Sequence, residues 1–190
     1  MGKIILVFNG SAREKGNTDS VVAKFIEGAK SSDLEVHNFM LRDLSIGNCK
    51  GCYKCKSESV CDLNDDMTKI REGIEKSDVL VFASPVYWCE VTGLMKTFID
   101  RLYFYHHPNT AELIAGKKAV VLTTLGESSN IDYETEILIE FYRRAFKSLK
   151  IDLIKHLVFS GLMEAEAIQN RPEYLQQSFS FGKNLINILS

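Results

Sequence analysis

The segment over residues 8–18 carries side chains suited to an anion. Its sequence is Phe-Asn-Gly-Ser-Ala-Arg-Glu-Lys-Gly-Asn-Thr, between an apolar run and a helical pattern. The start of a helix leaves backbone N–H groups unpaired, and Ser11, Arg13, Asn17 and Thr18 add donors suited to phosphate oxygens. Neither the P-loop pattern nor the glycine spacing of a Rossmann fingerprint is present. We therefore predict a site for a phosphate-bearing cofactor, with an ordinary polar turn capped by Thr18 as the alternative.

A second segment, over residues 84–90, carries groups suited to a flat ring. Tyr87 and Trp88 offer aromatic faces for stacking, and the backbone beside Pro85 and Val86 can bond the edge of a heterocycle. The alternative is that the two rings pack against a neighbouring helix or subunit. The segment therefore predicts either the ring end of a cofactor site or a packing contact.

A third segment, over residues 123–128, follows the next apolar run. It contains Thr124, Leu125 and Gly126, and the glycine allows backbone to approach a ligand closely. The alternative is an ordinary turn. We predict that it meets the same ring, because all three segments follow strands whose carboxyl ends share one sheet edge.

Four cysteines, Cys49, Cys52, Cys55 and Cys61, lie within 13 residues. Thiolates are soft ligands suited to iron, so this spacing predicts a site for a [4Fe–4S] cluster. A structural zinc site is a weaker alternative, because the commoner zinc pattern uses two separated pairs.

Five apolar, β-branched runs alternate with amphipathic stretches and must position these segments. The runs cover residues 4–8, 34–40, 79–83, 119–125 and 151–159. This alternation is typical of βαβ units, so we predict a parallel five-stranded sheet in a three-layer α/β/α sandwich. One predicted helix has an apolar face that we assign to the core, formed by Ile137, Leu138, Phe141, Ala145 and Leu149.

Length and charge narrow the class of protein. The 190 residues, 45% of them hydrophobic, predict one domain over residues 1–190. The formal net charge of -2 comes from interspersed residues, which argues against a nucleic-acid or anionic-lipid partner. The first apolar run is too short for a signal segment or a membrane span, so we expect a cytoplasmic protein without a membrane partner.

Three motifs together resemble those of flavodoxin-like proteins, specifically the NADPH-dependent FMN reductase and iron–sulfur flavoprotein group. They are Gly10-Ser11-x-Arg13-x-x-Gly16-Asn17-Thr18, Ser84-Pro85-Val86-Tyr87 and Gly93-x-x-Lys96-x-Phe98-Ile99-Asp100-Arg101. The resemblance implies the strand order 2-1-3-4-5. It also implies FMN, with its phosphate at Ser11, Arg13, Asn17 and Thr18 and its ring at Pro85, Val86, Tyr87, Trp88, Thr124, Leu125 and Gly126.

The same resemblance implies an enzyme that uses NAD(P)H to reduce quinones, flavins or another small acceptor. The flavin does that chemistry, so no catalytic side chain is assigned. The alternative is an electron carrier that exchanges electrons with a protein such as ferredoxin. The cysteine spacing is similar to that of iron–sulfur flavoproteins, whereas related FMN reductases keep similar cysteines as thiols or a reducible disulfide, and both interpretations stay open.

Three consecutive aromatic residues, Tyr103, Phe104 and Tyr105, follow one amphipathic helix. Surplus aromatic residues on a helix predict a self-association face. We therefore expect a homodimer or a homotetramer.

Overall fold

A computed structural model describes residues 2–126 and 129–189. Glu127 and Ser128, the end of the third segment above, lie outside the described residues. The strands are β1 (Ile4–Asn9), β2 (Glu35–Met40), β3 (Val79–Pro85), β4 (Lys118–Thr124) and β5 (Asp152–Phe159). The α-helices are α1 (Asn17–Lys30), α2 (Lys54–Glu58), α3 (Met67–Lys76), α4 (Gly93–Arg101), α5 (Pro108–Ala111), α6 (Ile131–Ser148) and α7 (Pro172–Leu189).

The five strands form one parallel sheet in the order β2-β1-β3-β4-β5. The predicted strand order and three-layer architecture are therefore confirmed. The central strand β3 is buried along nearly its whole length, as expected of a strand covered by helices on both faces. Strand β2 lies on one side of β1 and β3 lies on the other, so the order of strands across the sheet changes direction between β1 and β3. The segments after these two strands therefore lie at a topological switch point.

Helices cover the two faces of the sheet in separate layers. On one face, α3, α4 and α6 pack through apolar side chains that include Ile70, Phe98 and Tyr142. On the other face, α1 and α7 pack through residues that include Phe25 and Leu185. Burial of these side chains excludes water from both sides of the sheet and fixes the strand ends that carry the predicted site.

Helices α1 and α7 cross in backbone contact. A Cβ added at Gly28 would meet the carbonyl oxygen of Phe179, and one added at Gly182 would meet that of Phe25. Only glycine allows so close a crossing, so these positions hold α1, and with it the first predicted segment, against the rest of the fold.

Two expectations about the helices need correction. Ile137 is 58% exposed, because the stripe of α6 that faces the sheet runs through Leu138 and Tyr142 instead. Tyr105 is fully buried and its hydroxyl donates to Glu75, so it cannot contribute to a self-association face. Burial raises the pKa of Tyr105 well above its usual range, which keeps this hydroxyl protonated.

Candidate functional site

One cavity of about 230 Å³ opens where the loops after β1, β3, β4 and β5 meet. Its lining consists of Ser11, Arg13, Gly16, Asn17, Thr18, Pro85, Val86, Tyr87, Thr124, Leu125, Gly126, Leu162 and Met163. Ten of the eleven residues predicted for the flavin nucleotide are in this list, and Trp88 is not. Three separate sequence segments therefore come together as expected.

The β1–α1 loop gives the cavity one polar end. Helix α1 begins after Gly16, which has no side chain to cap it, so the N–H groups of the first turn receive no side-chain cap. Ser11 and Thr18 are buried there, and Thr18 Oγ1 lies 2.7 Å from Thr124 Oγ1. Arg13 is exposed at the rim. A helix start with hydroxyl groups and a guanidinium is a suitable site for a phosphate.

The side chain of Asn17 has a structural role that its sequence position does not reveal. Its Nδ2 donates to the carbonyl oxygens of Leu162 (3.0 Å) and Glu164 (2.8 Å), and its Oδ1 accepts from the N–H of Ile168 (3.0 Å). The side-chain amide thus fastens the loop after β5 to α1. Asn17 can serve a ligand through its backbone N–H at the helix start.

The β3 loop gives the cavity its apolar end. The N–H of Val86 donates to the carbonyl of Thr124 at 2.9 Å, which ties this loop to the end of β4. Tyr87 and Glu90 exchange backbone hydrogen bonds of 2.8 and 3.1 Å across a tight turn. Pro85, Val86 and Tyr87 therefore stay beside the cavity as one short wall.

Trp88 lies at the tip of that turn and points away from the cavity lining. Both Trp88 (φ 54°) and Cys89 (φ 60°) have left-handed backbone conformations, and the indole is 98% exposed. The expectation that Trp88 lines the ring site in its own subunit receives no support from this geometry. Its direction is set by two backbone dihedral angles, and no feature of the sequence indicates them.

Thr92 does not line the cavity but supports its β1 loop, a role that was not predicted from the sequence. Its hydroxyl donates to the carbonyl of Gly10 at 2.7 Å and accepts from the N–H of Met95 at 3.2 Å, so it caps α4 and holds the β1 loop at once. A Cβ added at Gly10 would lie 2.8 Å from Met95 Cβ, so the loop needs glycine to approach α4 this closely. A threonine just before a helical pattern is a recognisable capping signal.

Leu162 and Met163, from the loop after β5, were missed as lining residues. The carboxyl end of β5 lies at the same sheet edge as the other loops, and this position alone could have predicted that the loop after β5 lines the cavity. Met163 is exposed and lies against Gly126, where an added Cβ would be 2.9 Å from Met163 Cε. An unbranched, flexible side chain at this position can adapt to a ligand.

The four clustered cysteines line a separate cavity of about 40 Å³ together with Arg101 and Tyr103. Arg101 is buried and donates to Cys61 Sγ at 3.3 Å, to Asp65 Oδ1 at 3.1 Å and to the carbonyl of Gly47 at 2.8 Å. Arg101 is the last residue of α4, so these bonds attach residues 47–65, which we call the cysteine segment, to the end of that helix. Across the described ranges, the cysteine cavity and the loop cavity share no lining residue.

Two of these thiols differ in their electrostatic surroundings. Burial alone raises the pKa of Cys61, but the N–H of Leu63 and the Arg101 guanidinium outweigh it and bring the pKa below its usual range. Burial and the neighbouring cysteines raise the pKa of Cys55. All five cysteines are free thiols. Within residues 2–126 and 129–189, no group of three or more Cys, His, Asp or Glu side chains is arranged to hold a metal ion, so the predicted cluster and the zinc alternative receive no support from this placement.

Comparison with known proteins identifies the family. Residues 4–147 match the family model described as NADPH-dependent FMN reductase. The chain belongs to this family. An iron–sulfur flavoprotein of Archaeoglobus fulgidus is 34% identical over 122 residues, which are 64% of this chain and 56% of that protein. A putative NAD(P)H-dependent FMN-containing oxidoreductase of Bacillus subtilis is 27% identical over 132 residues, which are 67% of this chain and 69% of that protein.

A solved structure of the same fold extends the comparison over nearly the whole chain. An NAD(P)H:quinone oxidoreductase from Methanothermobacter marburgensis superimposes with a TM-score of 0.73 at 22% identity, over 97% of this chain and 96% of that one. At this identity the likeness shows the flavodoxin-like fold alone. This chain spans little more than half the length of the first curated relatives it matches.

Proposed function

We propose that this FMN reductase-family protein binds FMN in the loop cavity and acts as an NAD(P)H-dependent oxidoreductase. The observation that carries the proposal is one cavity with two unlike ends. The uncapped start of α1 with Ser11, Arg13 and Thr18 forms the polar end, and Pro85, Val86 and Tyr87 form the apolar end. A flavin nucleotide has the same two parts, a phosphate and a flat ring.

The lining residues fit that cofactor in chemistry as well as in position. The phosphate would lie at the N–H groups after Gly16 and near the Arg13 guanidinium, where the helix dipole favours negative charge. The ring would lie against Tyr87 and the backbone of Leu125 and Gly126, where Gly126 permits close approach.

The chemistry of the cavity lining supports a cofactor-based reaction. Among the described lining residues there is no histidine, cysteine or carboxylate, so this part of the lining offers no imidazole, thiol or carboxylate as a general base. When bound, FMN supplies hydride acceptance from NAD(P)H and delivery of electrons to an acceptor. We infer that the acceptor is a quinone, a free flavin or another small molecule. The name of the Methanothermobacter protein includes a quinone as acceptor, and that of the Bacillus protein includes NAD(P)H and FMN.

Anaerobic mixing with NADPH tests the reductase directly. The flavin-loaded protein should lose its oxidised flavin absorbance within seconds to minutes and recover it when a quinone is added. NADH should be tested beside NADPH, because the preference between them is open. Loss of absorbance with dithionite but with neither nicotinamide would contradict the proposal.

A second candidate is an electron carrier of the iron–sulfur flavoprotein type. It is favoured by the shared cavity of four cysteines and by the name of the Archaeoglobus relative. The cysteines as placed do not form a metal-ligating group, so no step is assigned to a cluster. Iron and acid-labile sulfide after anaerobic purification, with flavin reduction by reduced ferredoxin but not by NADPH, would establish this candidate in place of the reductase.

We also infer that the protein forms a homodimer or a homotetramer through an exposed face of α6. Tyr133, Ile137, Phe141 and Ala145 follow one another at four-residue spacing along that helix, and the first two are 65% and 58% exposed. Phe141 and Ala145 border a groove of about 460 Å³ that is also lined by Tyr53. We call the residues Tyr133, Ile137, Phe141 and Ala145 the α6 stripe. Contiguous apolar surface of this kind marks interaction sites.

The cellular setting is a further proposal. Free thiols on every cysteine suit a reducing compartment, so we place the protein in the cytoplasm. Across the described residues, no helix combines the length and apolar character needed to cross a bilayer.

A further inference from the structure

A largely buried ion pair lies behind the β1–α1 loop, and neither partner lines the cavity. Arg42 lies just after β2, and Asp19 lies in the first turn of α1. Arg42 Nη2 is 3.0 Å from Asp19 Oδ2 and Nη1 is 3.1 Å from Oδ1, so the contact is bidentate. Each side chain is only 14% exposed, so water and salt screen the pair weakly.

Arg42 also bonds to the backbone of the loop. Its Nη1 lies 3.2 Å from the carbonyl oxygen of Ser11 and 3.3 Å from that of Arg13. A carbonyl oxygen carries partial negative charge and repels a phosphate that lies close to it. Arg42 bonds to both carbonyl oxygens from outside the cavity. These oxygens therefore point toward the guanidinium and not toward a bound phosphate.

Asp19 holds the other side of the same loop. Its carboxylate accepts from Asn9 Nδ2 at 2.7 Å and from the N–H of Lys15 at 2.8 Å. Lys15 has a left-handed backbone conformation (φ 53°), which is unfavourable for a residue other than glycine. The hydrogen bond to Asp19 stabilises that conformation, and Gly16 and the start of α1 follow directly.

The charges of this pair are also informative. An aspartate in the first turn of a helix would by itself compete with a phosphate for the positive end of the helix dipole. The bidentate guanidinium neutralises that aspartate. The hydrogen bond to Asp19 also raises the pKa of Arg42, so the guanidinium stays charged. The helix start therefore remains available to an anion.

We propose that Arg42 and Asp19 are positioning residues that preorganise the β1–α1 loop for the phosphate of the flavin nucleotide. This inference rests on the proposed function, because it assigns a role to residues behind the same cavity. A fixed loop binds its ligand without the entropy cost of ordering at the moment of binding. The effect should therefore depend on the phosphate and not on the ring.

The test compares FMN with riboflavin, which has the same ring and lacks the phosphate. In fluorescence titrations of flavin-free protein, Arg42→Ala should weaken FMN binding by about 10- to 100-fold, the range expected when charge-assisted hydrogen bonds are lost. Riboflavin binding should stay within about twofold of the unmodified protein, which is the scatter expected of a change that leaves the ring site intact. Lys24→Ala is the matched control, because it removes one positive charge from an exposed pair with Glu27 on α1.

Asp19→Ala distinguishes positioning from simple charge. Removing a negative charge beside a phosphate site should tighten FMN binding if only long-range attraction matters. The positioning role predicts weaker FMN binding, because Lys15 and Asn9 lose their acceptor. Arg42→Lys keeps the positive charge but loses the two parallel N–H donors that the guanidinium directs at Asp19, so it should give an intermediate loss of FMN binding. This variant keeps the test available even if Arg42→Ala does not fold.

The outcomes separate the two proposals. Equal losses for FMN and riboflavin, unchanged FMN binding in Arg42→Ala and Arg42→Lys, or tighter FMN binding in Asp19→Ala would each overturn the positioning role while the proposed function stands. If the unmodified protein binds neither flavin, the proposed function is wrong and this inference is wrong with it.

Discussion

At the scale of single residues, the polar end of the cavity depends on side chains with different exposure. Arg13 is exposed at the rim, whereas Thr18 is buried and bonded to Thr124. Removing the exposed Arg13 guanidinium leaves no buried group without its partner. Removing the Thr18 hydroxyl takes a hydrogen-bond partner from the buried hydroxyl of Thr124. The two residues should therefore respond differently to substitution.

Arg13→Ala and Thr18→Ala should both weaken FMN binding, by about tenfold for loss of one charged or two neutral hydrogen bonds. Arg13→Ala should leave the free energy of unfolding unchanged, and Thr18→Ala should lower it by about 1 kcal/mol. Flavin content after purification and urea unfolding of flavin-free protein measure the two effects. Unchanged flavin content in both variants would show that the phosphate is not bound here.

Thr92 joins two loops through one hydroxyl group. Replacing it by valine keeps the shape and removes both the α4 cap and the bond to Gly10. We expect a loss of about 1–2 kcal/mol in unfolding free energy, together with weaker FMN binding. Thr97→Val is the control, because its hydroxyl makes one exposed bond to Asn48. Equal losses in both variants would contradict the role given to Thr92.

Local sequence predicts residues of this kind only in part. Ser11 and Thr18 were predictable as cavity-lining residues, because the strand-to-helix junction that follows β1 lies at the sheet edge where ligands bind. The direction of Trp88 was not, because it depends on left-handed dihedral angles that tryptophan and cysteine rarely adopt. The structural role of Asn17 depends on a loop more than 140 positions away, which no local pattern indicates.

At the scale of elements, the cysteine segment and α3 are attached to α4 through Asp65 and Arg101. The N–H groups of Gly47 and Met67 donate to Asp65 as well. Burial alone raises the pKa of Asp65, but the Arg101 guanidinium and these N–H groups outweigh it, and the pKa lies below its ordinary value. Arg101 is 3% exposed, so the Asp65 carboxylate and not water stabilises its positive charge.

A lowered pKa fixes the sign of the pH dependence. The contribution of Asp65 to stability is present above the pKa of the unfolded chain, about 4, and is lost as the pH falls through the native pKa. Asp65→Asn should lower the unfolding free energy by about 3 kcal/mol at pH 7, and by progressively less toward acidic pH. Urea unfolding across this range measures the difference.

Asp152→Asn supplies the control for that experiment. Asp152 forms an exposed pair with Lys118 at 2.7 Å, and such pairs contribute about 0–1 kcal/mol. A cost for Asp65→Asn that stays constant with pH, or one no larger than that of Asp152→Asn, would exclude the assigned role.

The strands and most helices were predictable because their apolar patterns are long and regular. The apolar pattern did not predict which face of α6 is buried, because two adjacent apolar stripes run along this helix and either could pack on the sheet. Leu138, Tyr142 and Phe146 occupy the inner stripe, and Ile137 lies on the outer one. Only the packing of α6 on the sheet, where Tyr142 and Phe146 contact Phe82 of β3, decides between the two stripes.

At the scale of the whole molecule, we propose that the α6 stripe, which contains Ile137, is the surface for self-association. Ile137→Glu places a charge in the middle of the α6 stripe and should weaken the assembly by about 100-fold or more, as expected at the centre of an interface. Light scattering coupled to gel filtration should show a shift to monomer. Leu113→Glu, at an exposed apolar residue outside the stripe, should leave the assembly unchanged.

Two results would contradict this assignment. The unmodified protein could be monomeric at all concentrations, which would rule out the interface. Alternatively, Ile137→Glu could assemble as the unmodified protein does, which would move the interface to another surface.

The fold brings three distant segments to one sheet edge, and the central claim is that they hold a single flavin nucleotide. Calorimetric titration of flavin-free protein with FMN tests this most directly. We predict saturable binding of one FMN per chain, weakened about tenfold by Arg13→Ala. A flavin-free protein that folds normally and shows no binding of FMN at any concentration tested would contradict the account.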